Sequence, residues 1–287
     1  MLQSTFSHIQ GIGLSTERKF WQSGLCTWDD AAGYDYTQMP MPPPVEFVDS
    51  VHRSREELAA GNAHFFYEGL RNTEHWRLFP HFRSRAAFFD IETTGLGKSW
   101  THITTIALFD GVGVKYYVHG RNLEQFAIDI MDYDMLVTYN GKCFDVPFVE
   151  KFFGITLPHV HIDLRFVLSS LGFKGGLKGA ERQMGFNRGE LDGVDGYYAV
   201  LLWDEYNKFG NEAALQTLVA YNILDVVTLE LFAVEAYNRK LAEAGLPDWE
   251  RYRIEQIRLA GCEPTLPLQP DLDVLKYLRR KYNLFSR

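Results

Sequence analysis

The hydrophobic pattern changes character along the chain. "RAAFFDI" reads as a buried strand, and "ITTIALFD" and "VKYYVHG" as two more joined by the turn "DGVG", a hairpin. "MLVTYN" is a fourth strand and "HIDL" a short fifth. Between and after them, "NLEQFAIDIMD", "VPFVEKFFG", "LKGAERQMG" and "YYAVLLWDEYNKFG" carry helical patterns, followed by a long helix from Glu212 to about Lys240. Pro147 falls in the first turn of the second of these, where proline is tolerated. Three strands, then helix, strand, helix, strand and further helices predict an α/β fold, a mixed five-stranded sheet with helices on its faces.

The flanks read differently. Residues 1–32 form a compact helical unit, and 33–82 a connector and helix: "QMPMPPPVEF" is proline-rich and extended, and "SREELAAGNAHFFYEGL" starts a helix on a capping box, Ser54 with Glu57. The mixed α/β domain spans 83–240, and 241–287 is a helical extension with a basic end, "KYLRRKYNLFSR". No internal repeat or low-complexity tract interrupts this order.

Composition narrows the picture. With 46% hydrophobic and 15% aromatic residues, the 287-residue chain is a packed globular protein. Its formal net charge of −8 is opposite in sign to that of most nucleic-acid binders, although a metal-dependent active site concentrates acids. Cys26, Cys143 and Cys262 fit neither a disulfide framework nor a zinc site. The start, "MLQSTFSHIQ", lacks the charged end and apolar core of a signal peptide, and no apolar run is expected to approach membrane-spanning length; the expected location is the reducing cytoplasm.

Against that background three groups of acids stand out. In "FFDIETTGL", Asp90 and Glu92 alternate onto one face of a strand end, where two carboxylates repel unless a cation or proton lies between them. Hard divalent ions such as Mg²⁺ and Mn²⁺ take oxygen ligands of this kind. In "VTYNGKCFDVPFVEKFFG", Asp145 precedes an apolar helix, as a cap or as a site residue, and Asn140 and Lys142 sit in the same turn. In "LVAYNILDVVTLELF", Asp225 interrupts an almost wholly apolar helix. It lies on a narrow exposed stripe, bonds a neighbouring helix, or binds metal; Tyr221, four residues earlier, shares its face. Four acids converging on one cleft can hold two cations about 4 Å apart, a geometry suited to in-line displacement at phosphorus.

Taken together, these motifs resemble those of the DEDD (DnaQ-like) superfamily of 3′–5′ exonucleases, which have an RNase-H-like fold. "DIETTGL", "YNGKCFD" and "YNILD" are similar to its three motifs. Position 220 is alanine, not the histidine of one subgroup, and Tyr221 four residues before Asp225 fits the tyrosine subgroup, DEDDy. "EHWRLFPHFRSRAAFFDIETTGL" and "HIDLRFVLSSLGFKGGLKGAE" resemble the bacterial YprB-like branch. The resemblance implies two Mg²⁺ or Mn²⁺ ions on Asp90, Glu92, Asp145 and Asp225, with Asp90 bridging both and Tyr221 placing the attacking water. It implies a nucleic acid with a free 3′ end, DNA or RNA, as partner, while the apolar pattern gives the expectation of no membrane partner. Thr93, Thr94, Gly95 and Leu96 of the first motif, and Asn140, Lys142 and Phe144 of the second, are the candidate substrate contacts. A structure-selective endonuclease and a non-catalytic nucleic-acid adaptor are the alternatives.

The stretch "IQGIGLSTERKFWQSGLCTW" resembles a helix-hairpin-helix: Gly11 and Gly13 would allow a tight turn, amides at the helix start would bind phosphate, and Arg18 and Lys19 would add charge. The alternative is a helical cap packed on the catalytic domain, or a protein contact. Arg165, Lys174, Lys178 and the tail residues Lys276, Arg279, Arg280 and Lys281 are further basic candidates, with a solvated surface as the competing reading. His161 and Asp163 are expected to be structural, and Phe144 and Phe148 to belong to the core rather than to stack on a base.

Overall fold

A computed structural model describes residues 1–39, 42–95, 101–254 and 267–282. The N-terminal region is helical: α1 (Leu14–Gln22), α2 (Trp28–Ala31), α3 (Phe47–Ala59), α4 (Ala63–Gly69) and α5 (Phe79–Phe82). Then come β1 (Ala86–Thr93), β2 (Ile103–Phe109), β3 (Val114–Val118), α6 (Phe126–Asp129), β4 (Met135–Thr138), α7 (Asp145–Phe153) and β5 (Val160–Asp163). Helices complete the chain: α8 (Leu164–Ser170), α9 (Gly176–Gln183), α10 (Gly196–Phe209), α11 (Glu212–Ala244) and α12 (Leu272–Lys281).

The five strands form one mixed sheet in the order β3-β2-β1-β4-β5. β1 runs antiparallel to β2 and parallel to β4, and β4 parallel to β5. The β2–β3 hairpin closes where the Asp110 carboxylate accepts from the amides of Val112 and Gly113. β1 lies at the centre with both faces covered. Phe88 packs in the cluster that includes Leu229 and Phe232 of α11, while Phe89 and Ile91 pack with Phe126 and Val149 on the other side. The period of two therefore turns Asp90 and Glu92 toward α11.

α10 and α11 form a helical hairpin with a two-residue link. Gly210, at φ +68°, ends the first helix, and the Asn211 side chain caps the second by accepting from the Ala214 amide. By length and composition α11 could cross a membrane, against the sequence expectation, yet 89% of its most apolar stretch is buried inside the protein. Its apolar surface is spent on the sheet, on α10 and on α8.

Three further readings need correction. The helix expected to begin at Ser54 begins at Phe47, and Ser54 is buried in its third turn, its hydroxyl bonded to Ser50 O and to His8 Nε2. That helix also breaks at Gly61 (φ +71°), and Asn62 caps a separate α4. The segment 122–132, expected as one helix, is a single α turn, α6, between two 3-10 turns.

The N-terminal region is held by buried polar bonds as well as apolar contact. Glu17 Oε1 accepts from the amides of Phe6 and Ser7, and Oε2 pairs at 2.9 Å with Arg77, which also pairs with Glu74 at 2.9 Å. One hydrophobic cluster runs from Leu2 and Phe20 through Trp76 and Phe79 to Phe88, Val137 and Tyr237.

Candidate metal centre

Three elements meet at one end of β1. The strand supplies Asp90 and Glu92 opposite Ala107 and Thr105 of β2, and its register shifts between Glu92 and Thr93. α11 supplies Tyr221, Asn222 and Asp225, and the first turn of α7 supplies Asp145. One carboxylate oxygen each from Asp90, Glu92 and Asp225 lies within 4.8 Å of the others. Asp145 joins them through the backbone: its Oδ1 accepts from the Ile91 amide, between Asp90 and Glu92, at 3.1 Å. Asp145 is thus not the cap of α7. The cap position is Phe144, and the carboxylate points back to β1.

Burial and mutual repulsion set the electrostatics. Loss of solvent pushes the Asp90 carboxyl well above the usual range, and the charges of Asp145, Asp225 and Glu92 push it further; the Asn222 hydrogen bond opposes them. Glu92 is raised in the same way, by burial first and then by Asp225, with Lys178 opposing. Burial raises Asp145 to about 7 against the Ile91 amide, which favours the charged form. Such a group holds protons until a cation replaces them. Carboxylate oxygens clustered this closely match the donor preference of Mg²⁺ or Mn²⁺.

Polar residues behind the acids fix their positions. Asn222 is fully buried; its Nδ2 donates to Asp90 Oδ2 at 2.8 Å and to Asp90 O at 3.3 Å, and its Oδ1 accepts from Thr105 Oγ1. Arg188 donates to Asp225 Oδ1 and to both oxygens of Glu181 at 2.9 and 3.0 Å. The Tyr221 ring is buried, with the Lys178 ammonium 5.0 Å and the Arg188 guanidinium 5.3 Å from its centroid. Burial and the neighbouring acids raise its phenol far above the ordinary value, so it stays protonated. Asn222, Arg188 and Glu181 went unrecognised in the sequence. The signal that singled out Asp225, a polar residue in an apolar helix, applies equally to Asn222. Nothing in "FNRGELDG" marks Arg188.

The remaining candidates divide. Thr93 is buried, Thr94 pairs with His102 in both directions, and Gly95 adopts φ +111°. Leu96 lies outside the described residues. Asn140, at φ +68°, begins a turn held by Asp163, whose carboxylate accepts from the amides of Asn140, Lys142 and Arg165. Lys142 reaches Asn72 and the Tyr67 ring instead of standing free. His161 is buried against Thr138 Oγ1, and the half-buried Phe144 and Phe148 pack on the core, as expected.

The N-terminal candidates do not join the carboxylates. Gly11 (φ +83°) precedes α1, which Gly13 caps, but only a 3-10 turn, Leu2–Ser4, comes before them. Arg18 donates to Ala244 O at the far end of α11, nineteen residues or about 28 Å beyond Asp225. Lys19 is exposed. In the tail, Lys281 is paired with Glu205 and Lys276 with Asp273, and Arg279 donates to Asp192 O.

Comparison with known proteins places the domain. The sequence model of the RNase H superfamily matches residues 87–237, just over half of the chain and all of the site. No curated protein matches. Among solved structures the chain is similar to the family B DNA polymerase from the hyperthermophilic archaeon Pyrobaculum calidifontis, at 17% identity and a TM-score of 0.37. That match covers 62% of this chain and 31% of the polymerase, under a third of the polymerase's length.

Proposed function

Because the chain belongs to the RNase H superfamily, we propose that it is a nuclease that removes nucleotides from the 3′ end of DNA or RNA, of the tyrosine subgroup and the YprB-like branch. The observation that supports this most is the meeting of Asp90, Glu92 and Asp225 within 4.8 Å, with Asp145 bonded to the intervening amide. Those four would hold two divalent ions, which when bound would lower the pKa of an attacking water and offset charge at phosphorus. Asn222 steadies Asp90, so the first acid would present its carboxylate to the ions in one orientation. Tyr221, protonated and four residues before Asp225 on the same helical face, orients the water through its hydroxyl. Of the candidate substrate contacts, Thr94, Gly95 and the turn at Asn140 are left to meet the terminal nucleotide, because Thr93 is buried, Lys142 is engaged by Asn72 and Tyr67, and Phe144 packs on the core.

The test is a digestion panel with end-labelled DNA, RNA and hybrid, in Mg²⁺ and in Mn²⁺, resolved as product ladders. Single-nucleotide ladders from the 3′ end are expected, with circular single-stranded DNA left intact. Asp90→Asn is expected to lower the rate by about three orders of magnitude or more while the circular dichroism spectrum stays unchanged. Cutting of the circle would favour an endonuclease, and undiminished cleavage by Asp90→Asn would refute the assignment.

A further inference from the structure

Among the described residues, Asp225 is the acid of the cluster with an ion pair of its own. The loop after α9 folds back so that Arg188 lies against α11 with only 5% of its side chain exposed. One guanidinium nitrogen donates to Asp225 Oδ1 and another grips both oxygens of Glu181, itself 1% exposed. The same guanidinium lies 5.3 Å from the centroid of the Tyr221 ring. If the site needed only neutralisation, Arg188 alone would serve. Glu181 cancels that charge, so Arg188 and Glu181 together add no net charge beside the carboxylates. What the pair adds is direction: a planar fork tethered at one end leaves its other arm a single orientation.

We infer that Arg188, tethered by Glu181, is a positioning residue that fixes Asp225 and the Tyr221 ring for binding of divalent ions without itself touching substrate. This rests on the two-ion reading above. Oδ1 of Asp225 is committed to the guanidinium, so Oδ2 is left for an ion. Because Glu181 holds the guanidinium, Arg188 stays in place when ions enter instead of competing with them.

Calorimetric titration of the full chain with Mn²⁺ tests this, on the wild type, Arg188→Lys, and the doubly neutral Glu181→Gln/Arg188→Gln. Lysine keeps the charge but lacks the rigid planar fork that holds the two carboxylates in fixed directions. In both variants Mn²⁺ affinity is expected to fall about tenfold or more. The rate constant on a labelled oligonucleotide is expected to fall with it, at saturating Mn²⁺ as well, while KM stays near the wild-type value. Melting curves read stability separately. Mn²⁺ affinity within about twofold of wild type, whatever the melting temperature, would reduce the pair to a structural ion pair and overturn the inference. Tighter Mn²⁺ binding would overturn it too, by making Arg188 a competitor of the ions. If the wild type binds no Mn²⁺, the two-ion reading falls and takes the inference with it; if it binds and cleaves while the variants match it, only the inference falls.

Discussion

Asp145 ties the chemistry of the site to its stability. Its folded pKa, about 7, stands above the ordinary carboxylate value because it is buried. Between about pH 4 and 7 the folded state therefore binds more protons than the unfolded one, and stability falls as pH rises through that window, by up to about 1.4 kcal/mol per pH unit for one proton. Asp90 and Glu92 are raised in the same direction and add to the fall. In urea titrations without divalent ions, the midpoint is expected to drop between about pH 4 and 7, and Asp145→Asn to flatten part of that slope. Saturating Mn²⁺ should reverse the trend, since ions bind the deprotonated carboxylates. Equal slopes for variant and wild type without ions would count against the protonated site. The four acids were legible in the sequence because each broke a local pattern: a strand end, a helix start, an apolar helix. Arg188 and Glu181 were not, because their partners lie seven and thirty-seven residues away from Arg188 and neither breaks its surroundings.

The elements that carry the site depend on one close approach. Gly141, in the turn between β4 and α7, does not need a left-handed φ; it needs room. A Cβ there would lie 2.3 Å from Thr138 Oγ1 and 2.6 Å from Thr138 Cβ. The Gly141 amide donates to that hydroxyl, which is also bonded to His161 Nε2. Gly141→Ala is expected to cost about 1–3 kcal/mol and to shift the start of α7, so that Asp145 loses the Ile91 amide and activity falls beyond the loss of folded protein. Gly113 is the control: its φ is ordinary and no heavy atom lies within 4 Å of the place a Cβ would take. As alanine it is expected to change stability by less than about 0.5 kcal/mol. An unshifted urea midpoint for Gly141→Ala would show that the turn yields freely. All five strands, α7, α10 and α11 were legible from their hydrophobic period. The start of α3 was not. The run of prolines drew the boundary too far along the chain, and Ser54, which has the local chemistry of a cap, is instead recruited by His8 from across the fold.

At the scale of the whole molecule, the N-terminal helices and the sheet domain share a core that a division by sequence pattern does not reveal. The N-terminal side of that core holds a charge: Arg77, 2% exposed, lies between Glu17 of α1 and Glu74, with the rings of Trp21 and Trp76 beside it. Removing the cation leaves two buried carboxylates without a counter-ion, which costs more than the pair contributes over an apolar replacement. Arg77→Met is therefore expected to lower stability by about 3–5 kcal/mol, read as a shift of the urea midpoint. The loss should not stay at the N-terminal end. Trp76 packs on Tyr237 of α11, and α11 is the helix that holds Asp225, Asn222 and Tyr221. Tryptophan fluorescence, far-ultraviolet circular dichroism and nuclease activity are thus expected to fall together in one transition, in wild type and variant alike. A separate early transition in fluorescence, with activity retained through it, would mean that the N-terminal helices dock on a domain able to stand without them. The continuous cluster from Leu2 to Tyr237 argues for the single transition, because no solvated layer divides it along which the two parts could separate.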